Sequence, residues 1–186
     1  PRVTAVSAAN RVNVVPAAAS AQVSGMSPAD IRTFADRLNL DHITFRLTAT
    51  ASGTEIHCSG LGSHGSKPED GHNALTALVS LLASLPLAPL PSTNSIHEIA
   101  SLLPHGDFYG SALGVEQKDD ISGPLTVAFS MLNLNEEGFT ARFDIRTPLC
   151  GTEENVCNII HSKMSAAGFH LEGQLDPPHH VPEDSP

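Results

Sequence analysis

The strongest candidates for a chemical role lie in a loop of small residues that contains a histidine. The segment reads GLGSHGSKPEDGHNA from Gly60 to Ala74, and its first six residues have the spacing GxGxxG. Glycines at that spacing can surround a nucleotide phosphate with backbone N–H groups. An imidazole such as that of His64, held on a glycine-rich connector, can instead donate a hydrogen bond to a reacting group. We name residues 60–73 the His64 loop.

The surroundings of this loop argue against a nucleotide site. A dinucleotide site needs a parallel β–α–β unit and an acidic residue about twenty positions after the glycines, which holds the ribose. Residues 80–90 contain neither aspartate nor glutamate, and Pro86 and Pro89 interrupt them. The strand predicted before the loop also reads as half of a hairpin. His64 therefore stays the better candidate, although a histidine in an exposed loop commonly has no function.

Other pairs of polar residues have the superficial spacing of a metal site. One residue separates His105 from Asp107, Glu136–Glu137 is a carboxylate pair, and His179–His180 borders a proline-rich tail. Metal ligands are held rigidly by hydrogen bonds of their own, whereas these residues fall in a predicted loop, a predicted hairpin turn and the tail. We expect solvated turn residues there rather than a metal site. Ser63 also lacks the GxSxG spacing of a serine hydrolase.

Size and charge exclude several classes of protein. The chain has 186 residues, 40% of them hydrophobic and 16% charged, which predicts a globular protein with one substantial core or two small subdomains. The net charge is −10, and the few lysines and arginines are spread along the chain, so we expect no nucleic-acid partner. The longest apolar run, residues 77–90, is too short and too interrupted to cross a membrane. Three cysteines without a CxxC pair favour a reducing cytoplasm.

The elements that must position His64 follow from hydrophobic spacing, caps and prolines. The predicted helices run from Pro28 to about Asn39, from residue 74 to Pro86, from 95 to 103, and from the cap Thr152 to Gly168. The predicted strands are two short pieces in residues 10–23, strands at 43–50 and 54–60, a hairpin of 125–131 with 139–145, and a last strand at 169–175. A long loop is expected at residues 104–120.

This order of elements predicts the fold class. Two strand–strand–helix units follow one another, which favours an α+β fold with antiparallel sheet covered by helices on one face. The two halves are not similar in sequence, so a structural pseudo-repeat stays an open alternative.

Several motifs together resemble one family. Residues 63–74 match the signature SHGSxPExGxNA of PepV-like dipeptidases, which belong to the zinc aminoacylase and carboxypeptidase clan of metallopeptidases. Residues 13–16 (NVVP), 122–126 (SGPLT) and 144–148 (DIRTP) resemble three further motifs of that family, in the same order. Residues 180–186 resemble the segment by which such chains return to their catalytic domain.

The resemblance implies that this chain is the lid of such an enzyme. In that family these motifs lie in a ferredoxin-like lid domain, inserted into a catalytic domain that holds two zinc ions, and the zinc-binding motifs of the catalytic domain have no match here. Residues 1–186 would then be the inserted lid, with subdomains at about 10–86 and 92–176 and the return beginning at 177–186. A fragment of this kind is expected to bind no metal and to be inactive alone.

The resemblance also assigns roles to three residues. His64 matches the histidine that hydrogen-bonds the substrate carbonyl oxygen, and Asn13 matches an asparagine of the same oxyanion site. Arg146 matches an arginine that binds the C-terminal carboxylate of the substrate, for which a planar guanidinium is well suited. From the residues alone, Asn13 could equally cap a turn, and Arg146 could form a surface ion pair, since it shares a polar strand face with Arg142 and Asp144.

The resemblance implies a function and leaves two alternatives. The expected partners are the catalytic domain of the same enzyme and a dipeptide or short peptide with a free C-terminus, and the fragment is expected to be a cytoplasmic monomer. In many relatives of the clan the equivalent insert pairs two subunits, so a dimerisation module is the first alternative. An amidohydrolase acting on N-acyl amino acids is the second.

Overall fold

Antiparallel pairing organises the chain around a single large sheet. A computed structural model describes residues 1–8 and 11–173. The strands are β1 (Arg2–Ala8), β2 (Val14–Val15), β3 (Ala18–Ser24), β4 (Thr44–Ala49), β5 (Gly53–Ser59), β6 (Ser63–His64), β7 (Lys118–Asp119), β8 (Gly123–Pro124), β9 (Thr126–Leu134) and β10 (Phe139–Arg146). The helices are α1 (Pro28–Leu38), α2 (Ala74–Ser84), α3 (Pro91–Leu102) and α4 (Asn158–Ala166).

Six of these strands form a sheet in the order β10-β9-β1-β3-β5-β4, and every neighbouring pair is antiparallel. The predicted α+β class with an antiparallel sheet is therefore confirmed. Strands β2 and β6 form a separate two-stranded ladder, and so do β7 and β8.

The predicted hairpin forms one edge of the sheet. Phe139 pairs with Leu134 and Arg146 with Thr126, at the two ends of the β9–β10 ladder. The side chain of Asn135 closes the turn, because its Oδ1 accepts hydrogen bonds from the backbone nitrogens of Glu137 and Gly138. The alternation of apolar residues was thus a sufficient signal for this pair.

The strand at the centre of the sheet was not predicted. Strand β1 pairs with β3 on one side and with β9 on the other, and so joins strands from both halves of the chain. Its buried residues Val3, Val6 and Ala8 are not evenly alternating, because the register with β3 shifts between Val3 and Ala5. A bulge of this kind hides the period of two that identifies a strand. The division into two subdomains and a return segment remains a prediction.

One face of the sheet is covered by helices. Helix α2 is apolar on nearly all sides and packs on β3, β5 and β9, where alternate residues such as Ala21, Ile56 and Phe129 are buried. Ser27 caps α1 through its hydroxyl, and Asn39 ends that helix in the left-handed conformation, as the sequence predicts. Helix α3 begins at Pro91, four residues earlier than predicted, because proline is well tolerated at the first helical position.

The C-terminal part departs from the prediction. Thr152 caps a single π-helical turn, Glu153–Cys157, that leads into α4, and Gly168 follows with a positive φ of 81°. The predicted strand at 169–175 is wrong for its described part, residues 169–173, which have no strand structure. Phe169 instead packs edge-on against Phe139, with 5.1 Å between ring centroids. Residues 174 and 175 lie outside the described part.

Among the described residues, no helix combines the length and the apolar character that a membrane-spanning segment needs.

Candidate functional site

The His64 loop is attached to the segment that carries Asn13. Strand β6 pairs with β2, so that His64 lies opposite Val14, the residue after Asn13. The backbone nitrogen of Gly65 donates to the carbonyl oxygen of Asn13 at 2.8 Å. Two of the three predicted site residues, His64 and Asn13, are therefore neighbours in space, although 50 residues separate them in the chain. Both side chains are exposed.

The hydrogen bonds of His64 decide which ring nitrogen carries the proton. The backbone nitrogen of Ser66 lies 3.2 Å from Nδ1 of His64, and the Ser66 hydroxyl lies 2.8 Å from the same atom. A backbone N–H can only donate, so Nδ1 acts as the acceptor and the proton of the neutral ring lies on Nε2. The exposed imidazole is thus prepared to donate a hydrogen bond through Nε2.

Arg146 lies at the last position of the edge strand β10, opposite Thr126. Its Nε lies 3.0 Å from Oδ2 of Asp144, two residues earlier on the same face. The side chain of Arg146 is 43% exposed and that of Asp144 is 22% exposed, so the acid is the more shielded partner. An exposed pair of this kind contributes little to stability. The contact directs Nε of Arg146 toward the Asp144 carboxylate.

Gly65 brings these two regions together. A Cβ placed on Gly65 would lie 2.6 Å from Oδ2 of Asp144 and 3.1 Å from the carbonyl oxygen of Asn13, so that a larger residue would displace the Asp144 carboxylate. The Thr126 hydroxyl donates to the Gly65 carbonyl oxygen at 3.2 Å. The loop therefore rests on the β9–β10 hairpin at the end where Arg146 lies. Asn13, His64 and Arg146 accordingly belong to one connected surface region, which we name the candidate site.

The far end of the His64 loop is anchored in the core. Oδ1 of Asn73 accepts hydrogen bonds from the nitrogens of Leu75 and Thr76 and caps α2, while its Nδ2 donates to the carbonyl oxygen of Phe129 at 2.8 Å. Leu61 and His72 exchange two backbone hydrogen bonds that close the base of the loop. The cap can be read in the sequence from an asparagine before an apolar helical stripe, whereas the bond to β9 cannot.

Asp119 supports the strand end behind Arg146. Its carboxylate accepts hydrogen bonds from the backbone and hydroxyl of Ser122 and from the backbone of Ile121 and Cys150, and these bonds, those of Ser122 first, hold the pKa of Asp119 well below its usual range. The Ser122 hydroxyl also accepts from the nitrogen of Leu149. The segment that resembles a family motif at 122–126 is thus tied to the residues that follow Arg146.

His105 and Asp107 are structural residues and not solvated turn residues, which corrects the prediction. Nδ1 of His105 lies 2.9 Å from the Thr76 hydroxyl, and burial lowers the pKa of this histidine, with the nearby His72 acting in the same direction. The Asp107 carboxylate accepts hydrogen bonds from four backbone nitrogens, those of residues 109–112. These contacts shape residues 103–117, which we name the His105 loop.

The remaining pairs with metal-like spacing, Glu136–Glu137 and His179–His180, are not among the residues of the candidate site. Glu136 lies in the exposed hairpin turn and forms an ion pair with Arg2 at 3.3 Å. His179–His180, like residues 180–186, lies outside the described part of the chain. Within residues 1–8 and 11–173, no group of three or more His, Cys, Asp or Glu side chains is arranged to hold a metal ion.

A broad groove adjoins the candidate site. It has a volume of about 1060 Å³ and lies between β10 and α4, with Val12, Asp144 and Thr147 among its lining residues. Its remaining lining is largely apolar and includes Phe143, Ile160 and Met164. The candidate site is therefore bordered by a concave surface.

Comparison with known proteins gives a consistent set of relatives. The chain is 29% identical over 133 residues to the "Beta-Ala-Xaa dipeptidase" of Lactobacillus delbrueckii subsp. lactis, an alignment that covers 71% of this chain and 28% of the relative. It is 27% identical, over 95% of its length and 38% of theirs, to two proteins named "Putative dipeptidase": YtjP of Bacillus subtilis (strain 168) and one of Staphylococcus epidermidis (strain ATCC 12228 / FDA PCI 1200).

The chain is therefore related to dipeptidases. It spans about 28% to 38% of the length of these relatives. No family model matches the chain.

Proposed function

We propose that this chain is the lid domain of a zinc-dependent dipeptidase, which closes over the substrate and supplies groups that bind the peptide. The observation that carries the proposal is that Gly65 connects the Asn13 segment, the His64 loop and the Asp144–Arg146 strand end in one surface region. The relatives named as dipeptidases supply the reaction class. The catalytic domain would be the remainder of a longer protein.

His64 would act on the carbonyl oxygen of the scissile peptide bond. Negative charge develops on this oxygen as a nucleophile attacks the carbonyl carbon, and a donor held in advance stabilises that charge more than it stabilises the substrate. The bond from the Ser66 nitrogen to Nδ1 leaves the proton on Nε2, which is the donor this role requires. A donor of this kind contributes about 100- to 1000-fold in rate.

Asn13 would share this oxyanion site. Its carbonyl oxygen holds Gly65, so the backbone of Asn13 keeps the His64 loop in place. Its exposed side chain carries an amide NH₂ that can donate to the same substrate oxygen. The residue would therefore have two functions, one through its backbone and one through its side chain.

Arg146 would bind the C-terminal carboxylate of the peptide. Its Nε donates to Asp144, and a carboxylate can receive the two parallel hydrogen bonds of the terminal nitrogens. A peptide of fixed length would then have its C-terminus at Arg146 and its scissile carbonyl at His64. This arrangement favours short peptides with a free C-terminus over longer or blocked ones.

The two zinc ions implied by the family resemblance would be bound by the catalytic domain. Zinc polarises a carbonyl and lowers the pKa of a bound water, and so would supply the nucleophile. The residues of this chain would orient the peptide and exclude water on closure.

The test is His64→Ala in the full-length enzyme, assayed on a dipeptide. We expect kcat to fall about 100- to 1000-fold with a much smaller change in KM, because the lost interaction exists mainly in the transition state. His97→Ala is the matched control, since His97 is exposed on α3 and lies outside the candidate site. An unchanged kcat for His64→Ala would exclude the oxyanion role.

The two alternatives can be separated from this proposal. Strands β4 and β10 are the edges of the sheet, and an edge strand can pair with a second copy of the chain, as a dimerisation module would require. Sedimentation of the chain would favour that module if it finds a stable dimer and the lid if it finds a monomer. An amidohydrolase would instead hydrolyse N-acyl amino acids faster than dipeptides.

A further inference from the structure

We infer that Asp144 is a positioning residue, which sets the direction of the Arg146 guanidinium and couples it to the His64 loop. The inference rests on the proposed function and extends it to Asp144, a residue of the 144–148 motif to which the resemblance assigned no role. The carboxylate of Asp144 lies against both parts of the candidate site, Arg146 and the His64 loop at Gly65.

The first contact orients the arginine. Oδ2 of Asp144 lies 3.0 Å from Nε of Arg146, within the normal range of a charge-assisted hydrogen bond. Nε is the donor nearest the aliphatic part of the side chain. A guanidinium is rigid and planar, so holding Nε fixes where both terminal nitrogens point. These two nitrogens form the fork that binds a carboxylate from its open side.

The second contact fixes the acid itself. The same oxygen, Oδ2, would lie 2.6 Å from a Cβ on Gly65, so the carboxylate is packed against the backbone of the His64 loop. Gly65 does not have a positive φ, and so its backbone conformation does not by itself require glycine. The space occupied by Asp144 is the reason for a glycine here. The Gly65 backbone therefore limits the movement of the carboxylate on the side away from Arg146.

A role in geometry and a role in charge balance predict different orders of activity for variants at position 144. Asparagine has the size of aspartate and keeps an oxygen that can accept from Nε, but it loses the charge. Glutamate keeps the charge, but its extra methylene moves the carboxylate away from the position between Arg146 and Gly65 that Oδ2 of Asp144 occupies. A positioning residue tolerates asparagine better than glutamate. A residue that only balances the charges of Arg142 and Arg146 tolerates glutamate better.

The experiment measures kcat and KM of the full-length enzyme with a dipeptide and with the same dipeptide amidated at its C-terminus. For Asp144→Ala we expect KM for the free dipeptide to rise about tenfold and the values for the amide to stay within about twofold. Asp144→Asn should fall between the wild type and Asp144→Ala, and Asp144→Glu should be at least as impaired as Asp144→Ala. Asp36→Asn is the control, because it removes a remote acid that pairs with Arg32 on α1.

Arg146→Ala distinguishes the two levels of the proposal. If Arg146→Ala leaves the preference for the free C-terminus unchanged, the carboxylate role in the proposed function is wrong. If Arg146→Ala abolishes that preference but Asp144→Ala does not alter it, only the positioning role is overturned. An equal loss on both substrates, or a smaller effect of glutamate than of asparagine, would also overturn it. Should Asp144→Ala fail to fold, Asp144→Glu decides the question, since an unchanged KM for the free dipeptide in that variant excludes the role.

Discussion

Two loops of this protein each carry a histidine and a glycine and lie against an aspartate carboxylate, but the aspartate belongs to the loop in one case and to a separate strand in the other. His64 is exposed and its Nδ1 accepts from its own loop, whereas His105 is half-buried and bonds to Thr76 of helix α2. Asp107 of the His105 loop accepts from four backbone nitrogens of its own loop, whereas Asp144 meets the His64 loop from another strand.

The difference shows how a loop can be free to bind a ligand. In the His105 loop the polar side chains satisfy the loop's own backbone and the core, so their hydrogen-bonding capacity serves stability. In the His64 loop Asn13 and Thr126 bind the backbone of Gly65, and His64 uses only Nδ1 within its own loop, so that the exposed ring keeps Nε2 for a ligand. Exposure of the ring, with one nitrogen bound by its own loop, is therefore what separates the candidate functional histidine from the half-buried structural one.

Substituting one glycine in each loop should give the largest difference in the free energy of unfolding between the two loops. Gly65→Ala places a methyl group against Asp144 and the Asn13 carbonyl, and we expect it to lower the free energy of unfolding by about 3 kcal/mol. Gly106→Ala meets no atom within 4 Å, and its cost, from a φ of +87°, should be only about 1 kcal/mol. Denaturant unfolding of both variants measures this, and equal costs would contradict the close packing at Gly65.

Alanine variants of Asp107 and Asp144 should show the second largest difference in the free energy of unfolding. Asp107→Ala leaves backbone nitrogens of residues 109–112 without their acceptor, and we expect a loss of about 2 kcal/mol in the free energy of unfolding. Asp144→Ala removes only a partly exposed ion pair and should cost less than about 1 kcal/mol. The comparison fails if Asp144→Ala is the more destabilising of the two in the same unfolding assay.

Alanine variants of His105 and His64 should show a smaller difference in stability. His105→Ala leaves the buried Thr76 hydroxyl without this partner and should lower stability by about 1 kcal/mol, while His64→Ala should stay within about 0.5 kcal/mol of the wild type. Thermal unfolding of the two variants gives the order. A larger loss for His64→Ala would mean that its ring supports the loop rather than facing a ligand.

The pH dependence of stability should show the smallest effect. Burial lowers the pKa of His105 in the folded state, so below pH 6.5 the unfolded chain binds a proton that the folded chain resists. Stability should therefore fall as the pH decreases from 7 to 5, and His105→Gln should reduce this fall relative to His64→Gln. Denaturant midpoints at both pH values provide the measurement. Identical pH profiles for the two variants would remove His105 as the cause.

Much of the fold was accessible to sequence reasoning. The caps Ser27 and Thr152, the glycine after α4 and the alternation in β9 and β10 are local signals, and each lies where predicted. Strand β1 was missed because a bulge interrupts its alternation, and the strand predicted at 169–173 was wrong because Phe169 instead packs on Phe139. Local patterns fail where tertiary contacts override them.

The candidate site likewise contains residues that sequence motifs selected and residues that only the tertiary contacts reveal. His64, Asn13 and Arg146 were selected from motif resemblance, and their roles stay predictions. Gly65 and Thr126 were not selected for any role, because what makes them matter is their contact with each other and with Asn13 and Asp144. No pattern in the chain relates residues 52 to 79 positions apart.

The sequence by itself determined the α+β class, the caps of the helices, the β9–β10 hairpin and the glycine-rich loop that carries a histidine, because propensity, alternation and capping act over a few neighbouring residues. Only the tertiary structure decided that β1 joins the two halves of the sheet, that His105 serves the core while His64 faces outward, and that Asp144 stands between Gly65 and Arg146. These outcomes depend on which distant strands pair and how closely their backbones approach, and that is settled by packing of the whole chain.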